Sequence, residues 1–185
     1  AVGFFSLMPS TVASVTDDLA ARLARDLDSA FEDFVTAYRT PVYSGLRRLH
    51  PADAEDLTQE AFIRAYRALS SYPVERIEAI DLRPWLWTIA LNLGRNHARD
   101  RARRPQPAEL HDRHQAPQEE PADSRAWDER LASLPPRQRK AVVLRHVVGL
   151  TYEELALALE RPVGTVKNDV HRGLGRLRTI IEEEA

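Results

Sequence analysis

Apolar residues recur at steps of three and four along most of this chain, and no stretch alternates with the period of two that a strand requires. The pattern therefore predicts an all-α fold. Its sharpest stretch is RPVGTVKNDVHRGLGRLR, residues 161–178. Val163, Val166, Val170, Leu174 and Leu177 fall on one side of a helix there, and Lys167, Asn168, His171, Arg172 and Arg176 on the other. The preceding TYEELALALE sets Thr151 three residues before Glu154, the capping-box spacing that starts a helix. Two short amphipathic helices, the second one basic outside, have the pattern of a helix-turn-helix whose second helix enters a DNA major groove. A helical hairpin with a solvated basic face has the same pattern.

Upstream, Leu19, Leu23 and Leu27 make a stripe that Phe31, Phe34, Val35 and Tyr38 continue, which predicts helix over 17–38 with Asp28 as the cap of a fresh start. Thr40-Pro41 reads as an N-cap and a first helical proline, opening a helix that runs to about Leu49, where His50-Pro51 breaks it. Asp53 starts the next helix. Leu57, Ala61, Ala65 and Leu69 form its stripe, Ile63 and Tyr66 widen it, and Asp53, Glu55 and Asp56 crowd the first turn, where the helix dipole favours negative charge. Pro73 ends this helix, and VERIEAIDLR is a short irregular or helical connection. Pro84 opens PWLWTIALNLGRNHARDRARR, apolar at Trp85, Leu86, Ile89, Ala90 and Leu93 and basic from Arg95 on. Tryptophans beside a basic run suit stacking on single-stranded bases, or they fill a core. Trp87 is expected in the core, and Trp85 stays open between the two. Later, Ala141, Leu144, Val147 and Val148 are expected to pack against the helix-turn-helix, with Gly149 as a C-cap.

Charge changes this picture by its distribution and not by its sum. The net charge of −2 over 185 residues announces no polyanion partner. Yet RNHARDRARR, residues 95–104, carries five arginines against one aspartate. Residues 105–123 hold four prolines, several acids and no apolar period, so they read as a linker. The expected organisation is a tail over 1–16, a helical unit over 17–104, a linker over 105–124 and a second helical unit over 125–185. His111 and His114 sit in the linker with no third ligand on a rigid element, so no metal is expected. The chain has no cysteine, which excludes disulfides, thiol catalysis and cysteine-based zinc sites and fits a reducing cytoplasm. No apolar run approaches a membrane span, and AVGFFSLMPS lacks the charged region of a signal peptide. Without a glycine-rich phosphate loop or a nucleophile–base set, neither an enzyme nor a cofactor is expected.

Taken in order, DLTQEAFIRAYRAL, then WLWTIALNLGRNHARDRARR, then a linker, then LPPRQRKAVVLRHVVGLTYEELALALERPVGTVKNDVHRGLGRLR closely resemble the extracytoplasmic-function (ECF) sigma factors, the two-domain members of the bacterial sigma-70 family. The resemblance covers about residues 28–180. It implies sigma region 2 over residues 17–104 and region 4 over 125–180. It further implies that Asp56, Gln59, Glu60, Phe62 and Tyr66 dock on the clamp helices of core RNA polymerase. Trp85 to Arg104 would melt and read the −10 element, through Trp85, Asn92, Arg95, Asn96, Arg99, Arg101, Arg103 and Arg104. Asn92 to Asn96 would align with the loop or helix end that captures a flipped base, and the arginines would bind phosphate. Thr165, Lys167, Asn168, His171, Arg172 and Arg176 would contact the −35 element, where Arg or Lys can read guanine and Asn adenine. An anti-sigma factor is the expected regulator. Two positions depart from the family: Asp169 and Leu91 stand where basic residues are common. Asp169 repels phosphate unless it accepts a hydrogen bond from cytosine N4. A sigma-like decoy that sequesters an anti-sigma factor is the alternative. A dimeric helix-turn-helix repressor would leave DLTQEAFIRAYRAL and the tryptophan segment unused.

Overall fold

A computed structural model describes residues 12–103 and 122–184, and among these residues there are nine α-helices and no strand. Helix α1 spans Val12–Arg25 and so begins before the expected start at residue 17. Helix α2 spans Leu27–Leu49, and its cap is Asp26, not Asp28: the Asp26 carboxylate accepts the Ser29 N–H at 3.2 Å. The helix also runs through Pro41, where a restart was expected. Phe34 and Tyr38 before the proline, and Val42, Leu46 and Leu49 after it, form one buried stripe. Each such side chain contributes roughly 1.5–3 kcal/mol on burial. Together they outweigh the roughly 3 kcal/mol that an interior proline costs.

Helices α3 (Ala54–Ser71), α4 (Val74–Glu78) and α5 (Leu82–Arg103) follow. Asp53 precedes α3 but makes no side-chain cap bond. Its carboxylate instead accepts Arg101 Nη1 at 3.1 Å and lies 3.4 Å from His97 Nδ1, which ties the start of α3 to the basic end of α5.

The remaining helices are α6 (Ala122–Ser133), α7 (Pro136–Val142), α8 (Tyr152–Leu159) and α9 (Val163–Glu184), with a π-helical turn over Val143–Val147 continuing α7. Ala141, Leu144 and Val148 are buried as expected, but Val147 is exposed. In the wide turn the Val148 N–H reaches back to the Val143 carbonyl at 3.1 Å, and Val147 is carried out of the row. The capping box at α8 forms: Glu154 N–H donates to Thr151 Oγ1 at 3.1 Å, and Thr151 N–H donates to Glu154 Oε2 at 2.6 Å. In α9 the buried row is Val166, Val170, Gly173 and Leu177, and Leu174, expected inside, is 39% exposed. A Cβ on Gly173 would lie 2.6 Å from Val142 Cγ2, so α9 approaches α7 at the residue without a side chain.

The helices on either side of residues 104–121 share one core. At the seam α5 lies along α8, and α2 lies along the π turn. Trp87, 1% exposed, fills the seam. A Cβ on Gly45 would lie 2.5 Å from Trp87 Cη2 and 2.8 Å from Val148 Cγ2, so α2, α5 and the π turn converge at one point. Beside it, Arg83 Nη2 donates to the Val148 carbonyl at 2.8 Å and Nη1 to the Glu154 carboxylate at 3.3 Å. Arg48 pairs with Asp128 across the same seam.

Two outcomes follow from this packing. Gly45→Ala forces a methyl group against Trp87 and Val148 and is expected to lower the unfolding free energy by about 1–3 kcal/mol, measured by urea titration of tryptophan emission. Burial holds the His50 imidazole below the ordinary histidine pKa; Lys140, Arg139 and His97 lower it further, and Asp53 opposes them. The folded chain thus binds fewer protons at this site than the unfolded chain. The stability contributed by neutral His50 is complete above about pH 6.5 and is lost as pH falls through the depressed folded value. Between about pH 7.5 and 5.5 the wild-type Tm is expected to fall further than that of His50→Gln in scanning calorimetry. His146, also lowered chiefly by burial, is common to both proteins.

Candidate partner and nucleic-acid interfaces

Helices α2 and α3 pack through one face each and leave an open groove of about 660 Å³ beside that contact. Phe31, Val35 and Tyr43 line it from α2, and Phe62, Ile63 and Tyr66 from α3. Phe62 is mostly buried and meets Phe34 edge-on at 5.8 Å between ring centres; Tyr66 meets Phe31 edge-on at 5.0 Å. The Tyr66 hydroxyl donates to Asp28, and this hydrogen bond and the carboxylate charge raise its pKa, so it stays a protonated donor. Arg39, Arg67, Glu55 and Gln59 supply charged and polar walls. The result is an aromatic floor with polar rims, the composition of a protein-binding surface.

Of the five residues expected to dock a partner, Gln59, Phe62 and Tyr66 line this groove. Asp56 and Glu60 lie outside it, and Glu60 accepts Arg64 Nε at 2.8 Å. Sequence reasoning missed the α2 wall. The available signal was width: Phe31 and Val35 together with Phe34 and Tyr38 make a stripe too broad for one buried face. Ile63 and Tyr66, which widen the apolar stripe of α3, are each 37% exposed and line the groove, where Tyr66 was expected and Ile63 was not.

The second surface is the outer half of α5. Arg95, Asn96, Arg99 and Arg101 are exposed on it. Asn92 is half-buried and accepts a hydrogen bond from Arg95. The stretch from Asn92 to Asn96 lies inside an unbroken helix and not at a loop or helix end as expected, because buried Leu91, Leu93 and Gly94 hold it to the core. Leu91 therefore fills an interior position that an exposed cation could not. Trp85 is half-buried and meets Tyr72 edge-on at 6.4 Å, whereas Trp87 is core as expected. Arg103 is the last residue of α5; Arg104, His111 and His114 lie outside the described residues.

The third surface is α9. Lys167, Asn168, His171, Arg172 and Arg176 are all exposed. Among the described residues no ion pair engages Arg172 or Arg176. The Lys167 ammonium stands 5.3 Å from the centre of the Tyr152 ring, which also carries the Arg145 guanidinium at 4.8 Å. Thr165 is half-buried in the first turn, and its N–H is engaged by the Pro162 carbonyl at 2.9 Å. Asp169 is paired with Arg161.

These surfaces fall into two stretches that known families describe. The family model for Sigma-70 region 2 matches residues 34–104, and that for Sigma-70, region 4 matches residues 124–177. The ECF RNA polymerase sigma-E factor of Escherichia coli K12 is 33% identical over 172 residues, 83% of this chain and 87% of its own length. The chain belongs to the ECF group of the sigma-70 family. The RNA polymerase sigma-H factor of Pseudomonas aeruginosa is 32% identical over the same shares. The ECF RNA polymerase sigma factor SigE of Mycolicibacterium smegmatis is 35% identical over 84% of this chain but only 63% of its own length. Two solved structures share the fold of this sigma factor. CnrH, in complex with the cytosolic domain of CnrY, superposes with a TM-score of 0.69 at 21% identity, covering 92% of this chain and 99% of CnrH. RpoE of Bartonella quintana, in complex with the anti-sigma factor NepR, gives 0.67 at 23% identity over 82% and 96%. Helix α5 and the groove, apart from Phe31, lie in the region 2 match, and α9 as far as Leu177 lies in the region 4 match. Among the described residues of this sigma factor, no helix is long and apolar enough to cross a membrane.

Proposed function

We propose that this sigma factor binds core RNA polymerase through the α2–α3 groove and directs it to promoters with two DNA-facing helices. In this reading α5 contacts and melts the −10 element, and α9 occupies the major groove of the −35 element. The working units are residues 17–104 and 125–185, joined by 105–124. The protein acts in the cytoplasm, catalyses no reaction itself and is held inactive by an anti-sigma factor. The observation that carries the reading is one chain presenting an aromatic groove and two separate, exposed arginine-bearing helices. A repressor needs one such helix, and a decoy for another protein needs neither.

The contacts divide by chemistry. Phe31, Phe62 and Tyr66, with Ile63 and Gln59 beside them, offer aromatic side chains that a partner would bury, the kind on which protein affinity concentrates. Arg95, Arg99 and Arg101 give phosphate affinity without sequence choice, and Trp85 with Asn92 and Asn96 lies beside them to stack on or hold an unpaired base. Lys167, Asn168 and Arg172 are exposed to meet base edges or phosphate, and His171 and Arg176 to meet the phosphate backbone. An anti-sigma factor is supported by relatedness: the similar RpoE structure holds NepR.

The test is transcription in vitro with sigma-free bacterial core polymerase on a promoter library. Defined new start sites are expected with the wild-type chain. Tyr66→Ala and Gln59→Ala are expected to weaken core binding by about tenfold or more each, and Trp85→Ala to abolish start sites while core binding persists. A folded chain that yields no start sites but retains an anti-sigma factor would be the decoy.

A further inference from the structure

Asp169 sits at an awkward place for a DNA-binding helix. Thr165, Asp169, Arg172 and Arg176 follow one another at steps of four, three and four, so they form a single row down one flank of α9. Arg172 and Arg176 are exposed cations in that row. A bare carboxylate between them and Thr165 would face the same phosphates and repel them.

The carboxylate is not bare. Arg161, in the turn between α8 and α9, donates from Nη1 to Asp169 Oδ2. Only 15% of the Asp169 side chain and 28% of the Arg161 side chain is exposed. The turn delivers Arg161 there by its backbone. Glu160 adopts a left-handed conformation at φ 52°, and the Arg161 N–H donates to the Ala156 carbonyl at 3.0 Å, so the chain reverses and is fixed before α9 begins. Asp169 also lies next to the buried row of Val166, Val170 and Gly173 and away from the face of Asn168 and His171. A carboxylate reading cytosine would have to leave both its partner and this flank.

We infer that Arg161 neutralises Asp169 and thereby lets this flank of α9 lie against a phosphate strand, so that Asp169 reads no base. The inference rests on the proposed role of α9 at the −35 element. Arg161 is a positioning residue: it acts on DNA through the carboxylate it covers. Removing it withdraws one cation and uncovers one anion, so the loss exceeds that of an ordinary phosphate contact. Removing the anion as well reverses most of that loss.

The experiment uses the full chain in complex with core polymerase. Duplexes randomised over the −35 region are selected, and affinity for the selected duplex is measured across a salt series. Arg161→Ala is expected to bind about tenfold or more weaker near 0.15 M salt, with the selected bases unchanged and a shallower salt slope. The double variant Arg161→Ala with Asp169→Asn is expected within about threefold of wild type, which also shows that the turn folds without the pair. Asp169→Asn alone is expected to select the same bases as wild type. A changed base preference in Asp169→Asn, wild-type affinity in Arg161→Ala, or a double variant as weak as Arg161→Ala would each overturn the inference. A wild-type complex with no −35 preference would overturn the role of α9 itself, and this inference with it.

Discussion

Trp87 is where the two halves of the chain hold each other. Its indole lies over the gap left by Gly45 and beside Val148, so three helical segments from distant parts of the sequence share one contact. Burying a tryptophan removes roughly 150–250 Å² from water, on the order of 4–6 kcal/mol before entropy is counted. The polar contacts around it do a different job. Arg83 satisfies the Val148 carbonyl and the Glu154 carboxylate, and so fixes how α8 lies along α5. Arg48 and Asp128 remain partly exposed, and such pairs set register more than energy. The basic half of α5 and the turn that launches α9 extend from helices packed at this seam.

The electrostatics are equally local. The chain is nearly neutral in sum, yet exposed basic residues cluster on the outer half of α5 and on α9, and several acids elsewhere are held in ion pairs. Asp53 holds Arg101, Glu154 holds Arg83, Asp128 holds Arg48 and Asp169 holds Arg161. The arginines without such partners among the described residues include Arg172 and Arg176, on the exposed side of α9. Neutrality in the sum therefore coexists with a patterned surface, and only the pattern bears on polyanions.

What the sequence made legible was local. The capping box at Thr151 and Glu154 and the exposed face of α9 depend on spacings within one or two turns, and both appear as read. The all-α class follows from the same periodicity. The misreadings arose where packing between segments decided the outcome. Pro41 looked like a helix start, but burial on both sides of it carried the helix through. Leu174 belongs to the apolar pattern of α9, but the helix meets α7 on the Gly173 side and leaves Leu174 outside. The aromatic groove needed both walls, and its α2 wall was hidden in an overly wide stripe. The pairing of Asp169 with Arg161 spans a turn, beyond the three- and four-residue steps by which helix neighbours are recognised.

Asp53 joins two of the surfaces. It stands at the head of α3, one wall of the groove, and grips Arg101 near the far end of α5. Trp87 pins the near half of α5 at the seam. Helix α5 is thus held at two points, to the head of α3 by Asp53 and to α2 and the π turn by Trp87. One wall of the groove and the basic face of α5 therefore share a single carboxylate as a common anchor.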